Sequence, residues 1–352
     1  MLGKKNAVGV DIGSHSIKVC QLRETGKGLH LVRFDSKTLP PEGVVDGAVM
    51  NFGAVVDRLK ELVADNHLKN KPAALSISGH SVIIKKISLP EMTDEELNSS
   101  IMWEAEQYIP FDINEVHVDV QVLDPKAGQG QMDVLLVAAK KEVINDYTSI
   151  AMEAGLSPVV MDVDTFAIQN VFELNYGFPP NETVALVNIG ASMINIDIVS
   201  NGVLQFTRDI SMGGGLLTEE IQRGLGVSYE EAEHYKTGGG DTISSSAIFR
   251  EVQRLSERVA NTLVTEIQRS IEFYKATSVS GDITRVYLSG GSCQMQALIQ
   301  AMEQRLEVSV ELVNPFKNIV IDTRRFDIGL LQKMAPAAGV AVGLALRRRG
   351  DK

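Results

Sequence analysis

One short pattern occurs twice in this chain, and it restricts the fold more than any other feature. "NAVGVDIGSHSIKVCQL" (6–22) and "TVALVNIGASMINIDIVSNG" (183–202) share an order: apolar run, acid or amide, Ile, Gly, small polar residues, apolar run. Each reads as strand, turn, strand. A duplication of this kind places similar hairpins in two similar domains, and if those domains face each other the two turns meet across a cleft. The length, 352 residues, agrees with two domains at roughly 150 residues each.

Periodicity sets out the rest of the chain. Apolar runs at 7–12, 17–22, 29–34 and 73–78 predict strands, with a helix over about 52–66 (Val55, Val56, Leu59, Leu62, Val63). A compact insertion is expected at about 86–158. It opens with a capping box, Thr93 three residues before Glu96, and continues as a helix with Leu97, Ile101, Ala105 and Tyr108 on one face. Trp103, Tyr108 and Phe111 are assigned to its core. Strands over 114–123 and 131–140 make a hairpin, and a second helix runs over 141–154 to Gly155.

The expected division is a first domain over 1–180 that contains this insertion and a second over 181–330 with a helical part at about 216–280, including a long helix over 245–277. A closing helix over 331–352 is expected to pack back on the first domain. That last segment contains "GVAVG" (339–343), which matches the GxxxG pattern of membrane helix pairs. The apolar run around it, 334–346, is far below the roughly 20 residues a bilayer requires and holds Pro336, so tight packing inside a soluble core is the expectation.

Composition narrows the function. A net charge of −11 argues against nucleic acid, since phosphate backbones require clustered Lys and Arg, and the only dense basic run is Arg347–Arg349. Cys20 and Cys293 lie far apart with no zinc spacing, which suits a reducing compartment. The first residues contain no apolar run long enough for a signal peptide, so a cytoplasmic location is expected. The six histidines lack metal-ligand spacing, and His15 is read as packing or facing solvent.

The first turn carries the chemistry. A hairpin tip of Gly13, Ser14 and Ser16 presents backbone N–H groups and hydroxyls that suit phosphate oxygens, and Lys18 adds positive charge. Asp11 at the end of the incoming strand tolerates a phosphate beside it when a hydrated divalent cation lies between them. Magnesium nucleotide is therefore the expected occupant. "NIGAS" and "LSGGS" (288–292) repeat the Gly/Ser theme at strand ends, while neither GxxxxGK[ST] nor a strand-borne GxGxxG is present.

"VGVDIGSHSIK", "LVNIGAS" and "VYLSGGS" resemble the phosphate-1, phosphate-2 and adenosine motifs of the actin, Hsp70 and sugar-kinase ATPase superfamily. The resemblance implies an α/β two-domain actin-like (ribonuclease H-like, duplicated) fold with an inserted subdomain of the SHS2 type, as in the division protein FtsA. "SGHSVIIKK", "WEAEQYIPFD", "QMDVLLVAAKKE" and "NPFKNIVID" resemble the PilM family of type IV pilus assembly proteins along essentially the whole chain.

That resemblance implies ATP and Mg2+ as ligands. Asp11 would hold water on magnesium; Gly13, Ser14, Ser16 and Lys18 would contact phosphates. Asn188, Gly190, Ala191 and Ser192 would form the second phosphate turn, and Gly290, Gly291 and Ser292 would border the adenosine. "DTFAIQNVF" (164–172) resembles the segment joining the two domains and puts Gln169 where a water-orienting glutamine sits; Glu233 and Lys236 would reach base and ribose. Asn188 departs from the family's Asp, and a neutral amide cannot serve as a base, so ATP is expected to act as a ligand with weak or no hydrolysis. The implied role is a cytoplasmic scaffold of the pilus machine, peripheral to the inner membrane through partners. It would dock the cytoplasmic N-terminal peptide of PilN and link it to other inner-membrane and motor proteins for twitching motility; a homo-oligomer is compatible with this. A filament-forming ATPase like FtsA or MreB is the alternative, and a small-molecule kinase with the same motifs would require a carboxylate base.

Overall fold

The computed structural model describes residues 6–238, 247–278 and 281–351. Positions 245 and 246 of the expected long helix, and Gly239, lie outside them. The first hairpin is β1 (Val8–Ile12) and β2 (Ser16–Thr25), followed by β3 (Gly28–Thr38), a small ribbon β4 (Val44–Val45) and β5 (Ala48–Val49), α1 (Phe52–Asp65) and β6 (Pro72–Ile77). Next come β7 (Val82–Pro90), α2 (Asp94–Glu106), β8 (Val116–Gly128), β9 (Gln131–Lys140), α3 (Lys141–Glu153), β10 (Ser157–Val163) and α4 (Asp164–Tyr176). The second hairpin is β11 (Thr183–Ile189) and β12 (Ile194–Ser200), continued by β13 (Val203–Ile210), α5 (Gly215–Leu225), α6 (Tyr229–Lys236) and α7 (Ala247–Thr277). The chain closes with β14 (Ile283–Ser289), α8 (Gln296–Leu306), β15 (Ser309–Leu312), α9 (Ile328–Met334) and α10 (Gly339–Leu344).

The duplication seen in the sequence is a duplication of topology. One five-stranded sheet has the order β3-β2-β1-β6-β10 and the other β13-β12-β11-β14-β15. In both, the first three strands are antiparallel and the last two run parallel to the central one. The central strands β1 and β11 are almost wholly buried, as expected for strands covered on both faces. Helices α1 and α3 cover one face of the first sheet, and α5, α7 and α8 cover the outer face of the second. Between the sheets lie α4 and α10, in a core that joins Cys20, Leu22 and Ala74 of the first to Val184, Leu186 and Tyr287 of the second.

Helix α10 fits there because its small residues let backbones touch. A Cβ on Gly343 would lie 2.0 Å from the carbonyl oxygen of Ala167 in α4, and one on Gly9 of β1 would lie 2.1 Å from that of Ala341. The "GVAVG" run thus packs in the protein interior, and among the described residues no helix is long and apolar enough to cross a membrane.

A separate three-stranded sheet, β7-β9-β8, carries α2 on one face. The capping box of α2 forms as the sequence predicts: Glu96 N–H donates to Thr93 Oγ1 at 3.3 Å, and Thr93 N–H to Glu96 Oε2 at 2.8 Å. Two expectations fail here. Helix α3, assigned to the insertion, instead buries Val143, Tyr147, Ile150 and Ala151 in the core of the first sheet. Trp103, assigned to the insertion's core, is 77% exposed, while Tyr108 and Phe111 are partly buried against that core. Leu97, Ile101 and Ala105 already fill the buried stripe of α2, and Trp103, two positions after Ile101, points elsewhere. Emission of this sole tryptophan should therefore be that of a water-exposed indole, readily quenched by acrylamide, and Trp103→Ala should change stability by less than ~0.5 kcal/mol. A blue-shifted, protected emission would place the ring in a core.

Candidate functional site

The two hairpin turns end facing each other at the mouth of a cavity of about 460 Å³. Their geometries match position by position. In the first, Asp11 pairs across the hairpin with Lys18 and Gly13 N–H donates to Ser16 O at 3.2 Å. In the second, Asn188 pairs with Asn195 and Gly190 N–H donates to Met193 O at 2.8 Å. The paired side chains also bond: Lys18 Nζ to Asp11 Oδ2 at 3.1 Å in one, Asn188 Nδ2 to Asn195 Oδ1 at 2.9 Å in the other. At the tips, Ser14 Oγ hydrogen-bonds Ser192 Oγ, so the turns touch directly.

Of the residues assigned from sequence, Asp11, Gly13, Ser14, Ser16, Lys18, Asn188, Gly190, Ala191, Ser192, Glu233, Lys236, Gly290, Gly291 and Ser292 all line this cavity. Gly290 has φ +94°, and a Cβ there would lie 2.2 Å from Ile189 O, so only glycine allows this approach to β11. Ser292 Oγ donates to Gly190 O at 2.8 Å, tying the third segment to the second turn. On α6, Glu233 accepts from Thr218 Oγ1 and, at 2.9 Å, from Lys236 Nζ. Burial pushes the Glu233 carboxyl up, but the Lys236 charge and the hydrogen bonds from Thr218 and Lys236 outweigh it and hold it below the usual range. His15 reaches across the cleft to the Tyr229 hydroxyl at 3.3 Å, and burial lowers its pKa.

Gln169 is not brought into the cavity. It lies five residues into α4, about 7.5 Å along the axis and on another side of the helix from Asp164, with its amide nitrogen buried. It faces Asp197 of β12, whose carboxyl burial pushes up to about 8 against opposing hydrogen bonds from Thr207, Gln169 and Thr165. The helix's first residue, Asp164, lines the cavity instead; burial, then the charge of Asp11, raise it to about 6, and Ser76 Oγ donates to it at 2.5 Å.

Sequence reasoning also missed Tyr147, Asn195, Gln294 and Lys333, which line the same space. Asn195 was findable, because it holds the place of Lys18 in the repeat. Gln294 sits two residues past the Gly290–Ser292 motif, and Tyr147 and Lys333 come from remote segments with no local signature.

The fate of Asp197 has a pH signature. Because its folded pKa lies above that of an unfolded Asp, the native state binds more protons, and stability falls as pH rises between about 4 and 8, by at most ~1.4 kcal/mol per unit. Asp197→Asn should flatten that slope, gaining on wild type most at pH 8 and little at pH 4 in urea unfolding. Parallel profiles would show that Asp197 is ionised in the native state.

The donor set suits a magnesium nucleotide. Among the described residues, the N–H groups of Ser14, His15, Ala191 and Ser192 make no hydrogen bond, two turns converge on one point, and three lysines (Lys18, Lys236, Lys333) and three carboxylates (Asp11, Asp164, Glu233) line the cavity. Two sheets of one topology, a connecting helix between them and paired glycine turns at a cleft define the actin-like ATPase fold. The solved ethanolamine utilization protein EutJ from Carboxydothermus hydrogenoformans shares it, with a TM-score of 0.56 and 16% identity over 98% of this chain and 90% of that one.

Within that class the chain belongs to the PilM family: residues 9–349 match the model of the type IV pilus assembly protein PilM. The solved PilM-PilN type IV pilus biogenesis complex is similar at a TM-score of 0.86 and 28% identity, covering 98% of both chains. Cell division protein FtsA of Bacillus subtilis (strain 168) is 22% identical over 88% of this chain and 78% of its own length. FtsA of Pseudomonas aeruginosa is likewise 22% identical, over 89% and 84%.

Proposed function

We propose that this protein is an ATP-binding scaffold of type IV pilus assembly, whose cleft takes Mg-ATP and whose body docks the cytoplasmic tail of PilN. The observation that carries the ATP reading is the convergence of two equivalent turns with free N–H groups on one cavity. The likeness to the solved PilM-PilN complex supports the partner. The chain divides on this reading into 1–180 with its insertion, 181–330, and a closing 331–352, and it works in the cytoplasm beside the inner membrane.

Bound magnesium would neutralise charge between the phosphates and the carboxylates. Asp11 would orient a water on the cation, Lys18 would leave Asp11 for a phosphate oxygen, and the Ser14–Ser192 contact would open to admit the phosphates. Glu233 and Lys236 would meet the ribose, and Gly290 and Gly291 the base. Hydrolysis would be weak, because both polar groups of the Asn188 amide are held, by Asn195 at 2.9 Å and Ser289 at 3.2 Å, and Gln169 lies elsewhere.

The test mixes excess nucleotide-free protein with trace labelled ATP and Mg2+, isolates the complex after an hour and identifies its nucleotide. Retained ATP is expected; recovery of ADP would make the protein an active ATPase, and no retained label would remove the nucleotide reading. For the partner, an immobilised PilN tail peptide should retain the full chain, and failure to do so would remove the docking role.

A further inference from the structure

The segment "SGHS" (78–81) has no place in the nucleotide reading, yet it touches three parts of the molecule within five residues. Ser78 lines the cavity. Gly79 N–H donates to Asp209 Oδ2 on β13 at 2.7 Å, and His80 Nε2 bonds the Ser211 hydroxyl just beyond β13 at 2.9 Å. Both bonds run from the loop that follows β6 of the first sheet to the second sheet's edge strand. Val82 then begins β7, the edge strand of the inserted sheet, which runs beside β13. Gly79 is in the left-handed region (φ +81°), where a Cβ would meet Met193 Cε at 2.9 Å and Asp46 O at 3.0 Å, so the loop is fitted against the second hairpin.

A polar chain connects that clasp to the cavity wall. Ser289 Oγ donates to Asn188 Oδ1 (3.2 Å), Asn188 Nδ2 to Asn195 Oδ1 (2.9 Å), and Asn195 Nδ2 to Asp209 Oδ1 (2.8 Å), while the second Asp209 oxygen takes Gly79. The chain crosses the second sheet from β14 to β13 and ends on the first. Asn188 and Asn195 line the cavity, whereas Asp209 does not. An amide at 188 both donates and accepts, so it can stand inside such a chain, which a carboxylate cannot do without changing its neighbours.

We propose that the Ser78–Ser81 loop is a coupling clasp, through which the ligand state of the cleft is passed along Asn188, Asn195 and Asp209 to strand β7 and the inserted sheet. This rests on the reading of the cleft as a nucleotide site. A ligand that separates the Ser14 and Ser192 turns moves one five-stranded sheet against the other. The clasp must then break, or residues 79–81 must follow β13 and shift the start of β7. In either case the inserted sheet has a different neighbour when the cleft is filled.

Hydrogen–deuterium exchange on the full chain with and without Mg-ATP tests this. In wild type, nucleotide should slow the turn amides (13–16 and 190–193) and change exchange over 79–83 at least threefold. In Asp209→Asn, which loses one acceptor, Gly79 should exchange about tenfold faster without ligand. Nucleotide should still protect the turns there and leave 79–83 unchanged. Ser211→Ala, at an exposed position, is a milder second variant and should weaken the 79–83 response without altering the turns. If the turns respond but 79–83 do not, or respond equally in both variants and wild type, the coupling is wrong and the nucleotide reading stands. If the turns do not respond at all, the nucleotide reading fails and the coupling with it.

Discussion

Gly343→Ala is expected to destabilise the protein by ~3 kcal/mol or more, lowering the melting temperature by ~6 °C or more. The new methyl would lie 2.0 Å from Ala167 O, 2.6 Å from its carbonyl carbon and 2.8 Å from its Cα, all backbone atoms of a buried helix. No side chain can turn aside to make room. Helix α10 cannot withdraw either, because on its other side Gly9 of β1 sits 2.1 Å, measured from an added Cβ, from Ala341 O. Any retreat opens a gap in the core that joins the two sheets. Gly26→Ala is the control: nothing lies within 4 Å of a Cβ there, and its melting temperature should match wild type. Equal behaviour of the two variants in thermal unfolding would contradict the placement of α10 between α4 and β1.

The second large effect is expected at Asp11. In wild type, Mg-ATP at a hundred times its dissociation constant should add ~2.7 kcal/mol to stability, and most of that gain should disappear when magnesium is chelated. Asp11→Asn should lower Mg-ATP affinity on the order of 100-fold and make the remaining binding indifferent to magnesium, because on the proposed reading the charged acceptor that would orient the cation's water is gone. The Lys18 ammonium, paired with Asp11 at 3.1 Å in the free protein, is released toward the phosphates, so some magnesium-independent affinity should survive. Calorimetric titration with and without magnesium reads both effects. An unchanged magnesium dependence in the variant would remove Asp11 from the cation's surroundings.

Much of this was legible in the sequence, because the repeat is local. The alternation of strand, glycine turn and strand is written twice in consecutive residues, and each turn closes on itself through a Gly N–H to the residue three positions on. The glycines, serines, Asp11 and Lys18 were therefore identifiable without knowing what surrounds them. The capping box of α2 and the long α7 were likewise visible, since caps and helical periodicity depend on neighbours a few residues away.

Other features depend on partners remote in sequence. The stripe of α3 identifies a buried face but not its core, and the sequence order that suggested the insertion gave way to packing on the first sheet. Trp103 is apolar enough for a core, yet its angular position on α2 turns it outward. Gln169 and Asp164 belong to one segment, and only the start of α4 decided which of them reaches the cavity.

The sequence by itself determined the duplicated hairpins, the chemistry of their turns and the neutral amide at 188, since these are properties of covalent order and short-range backbone geometry. The tertiary structure decided that the two turns touch, that Asp164 replaces Gln169 beside Asp11, and that Asn188, Asn195, Asp209 and Gly79 form one chain. Those contacts join residues up to 178 positions apart. Their existence depends on how α4 and α10 space the two sheets, a distance set by backbone contacts at Gly9 and Gly343 that no local pattern encodes.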